Sequence, residues 1–441
     1  MPTPLHPEDN GLVIRPSTGL VGLSDGGSPV LSEIVKRSLI HIQTSKALGM
    51  LYRIGEHDLY GPDYRLVFAW AEQIGLKPEE VLDVLLETPG FQGLQTTIVE
   101  GRFKNLVVSY GLRGIDGIPA IKGLVLDKLV IVGVGIREID PSIVPTINQL
   151  ILFNNQLTSL DLSGNPNLTK LDCGSNPLAG LDFTVVPNLT ELSWGKNHLS
   201  RLDLTMTPNL TALFCWQNQM SSLDLRAVPN LKTLHCGDNQ LSSLDLTAVP
   251  DLRQLYCWNN QLSAVDLTAV PNLAELHCRG NKLSSLDLST ASNIKELHCA
   301  ENGLSSLDLS GASNLITLHC AQNNLASLDI TAASNLTILH CMSNKLSKLN
   351  LSAASNLREL RCGANQLSSL DLSGASNLMR LFCNENNLSR LDLSGASNLT
   401  LLHCWKNQLI ELDIRPLKNL RGVHFDDEKT HLIKHREQNF K

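Results

Sequence analysis

The chain has 441 residues, of which 42% are apolar but only 4% aromatic, so it can bury a large core and that core must be aliphatic. Its net charge of −7 argues against a surface for nucleic-acid phosphates. It holds no uninterrupted apolar run of about 18 residues and no lipidation motif, so no membrane insertion is expected.

From the N-terminus, residues 1–27 are polar and rich in Pro and Gly, the composition of a disordered segment. They lack a basic stretch followed by an apolar one, so the expected location is cytoplasmic, where eleven cysteines stay reduced. A chain exported by a specialised secretion system would read the same way. Residues 28–92 are expected to be helical. Ser28-Pro29 offers a cap and a first-turn proline, and Leu31, Ile34, Val35, Leu39 and Ile42 follow at helical spacing. A second helix is expected from Pro62 to Gly75. A third starts at Pro78 and is stopped by Pro89-Gly90. His57 and Asp58, between the first two, read as a turn. The stretch TTIVEGRFKNLVVSY then reads as a β-hairpin.

The chain beyond this hairpin is periodic. The pair Asn167-Leu168 recurs with a step of 21 residues as far as Asn419-Leu420, with Asp251 once in place of Asn and Ile294 once in place of Leu. The unit is N-L-x-x-L-x-C-x-x-N-x-L-x-x-L-D-L-S/T-x-x-P/S. Thirteen copies lie between residues 146 and 418, and two weaker turns precede them. Such a period is the mark of a stacked-repeat architecture, in which each coil buries its apolar face against its neighbours. The repeat array is therefore expected to span residues 93–425, with a C-terminal cap and tail over 426–441. The helical block is either the N-terminal cap of the array or a separate recruitment domain.

The signature L-x-x-L-x-C-x-x-N-x-L, at this length and followed by L-D-L-S/T, resembles the bacterial leucine-rich repeats with a cysteine ladder found in internalin J-like proteins. The resemblance covers about three quarters of the chain, from Phe103 to Phe425. It implies an α/β fold: a right-handed leucine-rich repeat solenoid, or horseshoe, with one parallel sheet on its concave side.

Within L-x-C, as in Leu297-His298-Cys299, side chains alternate between the faces of a strand. Cys299 then points inward and His298 outward, so the recurrent His-Cys neighbours cannot chelate one metal or act as base and nucleophile. All eleven cysteines occupy this inward slot: Cys173, Cys215, Cys236, Cys257, Cys278, Cys299, Cys320, Cys341, Cys362, Cys383 and Cys404. They read as small hydrophobes. Disulfides between neighbours are not expected, because parallel Cβ vectors at strand spacing stand too far apart. An unbroken Asn slot, including Asn176, Asn239, Asn302 and Asn365, reads as a ladder serving turn backbone groups. Removing one such amide should cost roughly 1–3 kcal/mol. The Asp of L-D-L reads as a Ser/Thr-turn acceptor, with calcium binding as the other reading.

Function is expected where the frame leaves freedom, on the outward face. The candidates for a partner-binding surface are Phe214, Trp216, His235, Tyr256, Trp258, His277, Arg279, His298, His319, His340, Arg361, Phe382, His403 and Trp405, residue types that anchor protein partners. Repeat duplication alone could also have copied L-H-C. A metal-binding His ladder is a third reading, with no acidic partner evident. Binding is expected to be pH-sensitive near 6–7. The chain carries none of G-x-S-x-G, G-x-x-x-x-G-K-S/T or H-E-x-x-H, and every Cys is committed to the ladder. No catalysis and no cofactor are therefore expected. The expected role is that of a bacterial intracellular scaffold or sensor binding a protein. The alternative is a translocated effector or surface virulence factor engaging a host protein. Oligomeric state is not readable from the sequence.

Overall fold

The computed structural model describes residues 126–133 and 135–438, together with the backbone of β1 (Leu51–Ile54), β2 (His57–Tyr60), β3 (Leu94–Val99) and β4 (Arg102–Val108). The helices expected within residues 28–92 lie outside the described residues. Strands β1 and β2 pair antiparallel, Leu51 opposite Tyr60. His57 and Asp58 are thus in a strand, not in the turn expected of them. Short strands without apolar alternation leave little local trace. Strands β3 and β4 form an antiparallel hairpin with a register shift between Thr97 and Ile98. This is the hairpin read from TTIVEGRFKNLVVSY.

The chain divides into two compact units, residues 1–218 and 219–441. In the first, β5 (Lys128–Ile131), β6 (Gln149–Ile151), β7 (Lys170–Asp172), β8 (Glu191–Ser193) and β9 (Ala212–Phe214) continue from β4 as parallel neighbours. In the second unit the ladder comprises β10 (Thr233–His235), β11 (Gln254–Tyr256), β12 (Glu275–His277), β13 (Glu296–His298), β14 (Thr317–His319), β15 (Ile338–His340), β16 (Glu359–Arg361), β17 (Arg380–Phe382) and β18 (Leu401–His403). Beyond β19 (Glu411–Asp413), β20 (Gly422–His424) joins β18. Leu297 pairs with Leu318 and His298 with His319, a step of one repeat. The architecture is a parallel-strand solenoid.

From β6 onward each strand is three residues long because a 21-residue coil has room for one straight side between turns. The central Leu of β6 to β19 is buried, as are the Leu residues of N-L, those of L-D-L from Leu202 onward and the Cys that follows the strand. All eleven cysteines are buried free thiols. Burial pushes the thiols of Cys215, Cys299 and Cys341 up to about 12, so they are protonated packing groups at neutral pH.

The asparagine ladder closes the turn after each strand. Asn323 Nδ2 donates to the carbonyls of Cys299 (3.0 Å), Cys320 (3.1 Å) and Ala321 (3.2 Å), while its Oδ1 accepts from the Leu304 amide at 3.0 Å. The amide therefore ties its own coil to the one before. The same set recurs at Asn344 and Asn386. The residue ahead of each ladder Asn is left-handed, for example Gln322 at φ 54° and Ala364 at φ 54°; Gly280 fills the slot once, at φ 67°. Replacing Ala364 by Gly should therefore stabilise the chain, by about 1 kcal/mol or less. Gly280→Ala should do the reverse, because its Cβ would run into Asn259 Oδ1. Urea denaturation of both variants checks the pair.

The L-D-L carboxylates do not face one another bare. Asp245 Oδ1 accepts from the Thr247 amide (3.0 Å) and hydroxyl (2.6 Å), and these bonds hold its carboxyl below the usual range. Asn350, the one substitute, makes the same amide contact to Ser352 at 3.0 Å. At the C-terminal end, β21 (His431–Ile433) pairs in parallel with β19. Gln438 Nε2 donates to the carbonyls of Ile414 (3.0 Å) and Leu417 (2.9 Å), which ties this segment to the coil that follows β19.

Candidate functional site

The three-residue strands run E-L-H rather than L-H-C, one residue earlier than the sequence motif suggests. Position one of a strand thus shares the outward face with position three. In the second unit this face carries a continuous file of rings. His277 and His298 stack with centroids 3.9 Å apart and planes 10° from parallel. His298–His319 and His319–His340 follow, each at 4.1 Å. Strand spacing of about 4.8 Å in a parallel ladder brings side chains of equal register into ring contact. Ahead of this file, His235 lies 4.4 Å from Trp258, and Tyr256 packs edge-on against His277 at 4.8 Å. Beyond it, the Arg361 guanidinium covers Phe382 at 4.6 Å, and Phe382, His403 and His424 continue the contacts. His424, one coil past the last sequence candidate, extends the row.

Apart from the exposed His424, these rings are half-buried. Burial pushes the His298 imidazole down to about 3, with the neighbouring histidines adding to the effect, and holds His235 and His319 at about 4. His277, His340 and His403 are lowered by the same cause. The pH sensitivity expected near 6–7 is therefore corrected. In that range His235, His298 and His319 are already neutral, because burial against their neighbours along the ladder desolvates each ring.

The face also holds carboxylates that the reading of the His slot alone overlooked. Glu359 is 8% exposed and contacts His340 Nε2 (2.9 Å), Arg361 Nε (2.6 Å) and Arg380 Nη1 (3.0 Å). Burial alone would raise its pKa, but hydrogen bonds from Arg361 and His340 outweigh it and hold the carboxyl low. Tyr256 donates its hydroxyl to Glu275 at 2.5 Å. Glu296 lies with His277 and His298, their ligand-type atoms all within 4.8 Å of one another. The signal was present: Glu275, Glu296 and Glu359 each stand two residues before the outward slot, hence on its face.

The remaining candidates sit at the rim. Trp258 Nε1 donates to Asp238 at 3.2 Å, and its indole covers Gly237, where a Cβ would fall 2.8 Å from the ring. In the first unit Trp216 covers Gly195 in the same manner, with the Lys196 ammonium 5.3 Å from its ring, and Phe214 is half-buried. The Gly one repeat before Trp216 and before Trp258 gives each indole its room, whereas Asn384 holds that place before Trp405. Arg279 pairs with Glu301 at 2.5 Å, and Lys406 lies 4.8 Å over Trp405. Among the described residues no helix is long and apolar enough to cross a membrane.

Parallel three-residue strands stepped by 21 residues, with inward leucines and an asparagine at each turn, define a leucine-rich repeat protein. A family model of leucine-rich repeats matches residues 208–248 and 229–269. The cysteine row places this chain among solenoids of the cysteine-ladder type. It is similar to the functional domain of InlJ from Listeria monocytogenes, which includes a cysteine ladder: 28% identity, TM-score 0.63, over 73% of this chain and 71% of that one. A leucine-rich repeat protein of Leptospira interrogans shares the fold at 23% identity and TM-score 0.62, over 79% of this chain and 91% of that one. YopM of Yersinia pestis, a leucine-rich effector protein, is 25% identical at TM-score 0.54, over 64% of this chain and 84% of that one. Among curated proteins no sequence matches.

Proposed function

We propose that the outward strand face of residues 233–424 binds a protein, and that the chain is a non-catalytic interaction module serving as a bacterial intracellular scaffold or sensor. One observation carries the reading: the coils of β10 to β18 keep a constant interior while their outward slots bear a contiguous file of imidazole, aromatic and Arg side chains. Such residues are rigid, amphipathic and half-desolvated before any partner arrives, which reduces the entropy cost of binding. A second reading, that of a translocated effector engaging a host protein, is favoured by the likeness to the Yersinia effector.

The test uses the full chain immobilised beside a Trp258→Ala/His298→Ala variant, each exposed to bacterial and to host-cell lysate. A partner recovered by the native chain should bind the variant about tenfold or more weakly once both are purified, with the thermal transition of the variant still cooperative. Equal binding by the two chains would move the surface elsewhere. The lysate that supplies the partner separates the two readings.

A further inference from the structure

We propose that His277, Glu296 and His298 form a binding site for a divalent first-row transition-metal ion, of which zinc is the simplest case. Register assembles the set. Strands β12 and β13 place His277 opposite His298, and Glu296 stands two residues before His298 on the same face. The candidate donor atoms, two imidazole nitrogens and one carboxylate oxygen, lie within 4.8 Å of one another. Two nitrogens and one oxygen suit zinc or copper, whereas calcium and magnesium favour all-oxygen sets.

A second observation points the same way. Among the described residues, His277 Nε2 is buried and has no hydrogen-bond partner, and His319 Nε2, one strand beyond His298, is in the same condition. A buried nitrogen left unpaired is costly, and coordination would satisfy it. The neighbouring acidic residues are committed elsewhere. Glu275 accepts from Tyr256, and Glu359 is held by Arg361 and Arg380. Among the described residues no such cation stands between Glu296 and its two histidines, so this carboxylate and these rings are the donor set that the face leaves available. Binding does cost the ring stack. Tetrahedral bonds of about 2.0–2.1 Å need the His277 and His298 nitrogens aimed at one point, so one ring must turn out of the stack.

Calorimetric titration of zinc chloride into the reduced, chelator-treated full chain should show one ion bound per chain with micromolar affinity. Glu296→Gln and His277→Ala/His298→Ala should each weaken binding about tenfold or more, whereas His198→Ala, at an exposed residue outside the site, should not. Cobalt(II) supplies a readout that separates this site from the thiol ladder. The expected spectrum has visible ligand-field bands without a thiolate-to-cobalt charge-transfer band. The proposal is overturned by an absence of binding at millimolar zinc, by native affinity in both Glu296→Gln and the double variant, or by a thiolate band. Any disturbance of folding by the double variant leaves the near-isosteric Glu296→Gln to decide.

Discussion

Acidification from about pH 7 to pH 4.5 is expected to destabilise residues 219–438 by several kcal/mol, chiefly through the histidine row. The folded imidazoles of His235, His298 and His319 lie at about 4, 3 and 4, against an unperturbed value of 6.5. Between those limits the unfolded chain binds more protons than the folded one, so stability falls as pH falls. The loss begins near 6.5 and is complete only below the folded values. Because the rings are only half-buried, solvent screening reduces each contribution to something on the order of 1–2 kcal/mol. The lowered carboxyls, Glu359 among them, add their own loss only below the usual carboxylate range. Urea midpoints taken from pH 7.5 downward should fall steadily, and His298→Gln should flatten the slope. A midpoint that holds constant down to pH 4.5 would mean that the row is solvated and its rings are not in mutual contact.

The same contrast between ring and coil governs how much was legible in the sequence. The interior slots were legible because each answers to its own coil. Leu297 and Cys299 alternate with His298, Asn323 sits at a turn, and Asp245 precedes its hydroxyl partner by two residues. Repetition multiplied those local cues. What escaped was set across coils or by non-local pairing. The desolvation of His298 comes from His277 and His319, each a full repeat away. Glu296 gains its meaning only when β12 and β13 are in register. The strands β1 and β21 are short, lack repeat neighbours of their own kind and carry polar residues, so neither period nor alternation announced them. Attention to a single outward slot also passed over the slot two positions earlier, although strand geometry puts both on one face.

Replacing Asn323 by Ala should cost more than any single change on the strand face, about 3 kcal/mol, the top of the range for a ladder amide. The substitution removes three donated bonds and one accepted bond at once. It leaves the Leu304 amide and the carbonyls of Cys299 and Cys320 buried without that partner, in a turn too tight to admit compensating backbone contacts. Two of the four bonds reach the preceding coil, so the damage falls on an interface between repeats. In a nearest-neighbour array such a break uncouples what lies on either side. The urea transition should therefore broaden or split, with a lower slope than the native chain. Asn323→Asp sharpens the argument, because it keeps size and the acceptor oxygen but exchanges the donating amide for a carboxylate facing three carbonyls. Burial among acceptors must raise that carboxyl's folded pKa. Its variant should be most stable below the unfolded Asp value and lose stability as pH rises, a dependence opposite in sign to that of the histidine row. An Asp variant as stable as the native chain at pH 7 would show that the amide donors do not hold the coils together. The ladder would then be a by-product of repetition, and leucine packing alone would have to account for the solenoid.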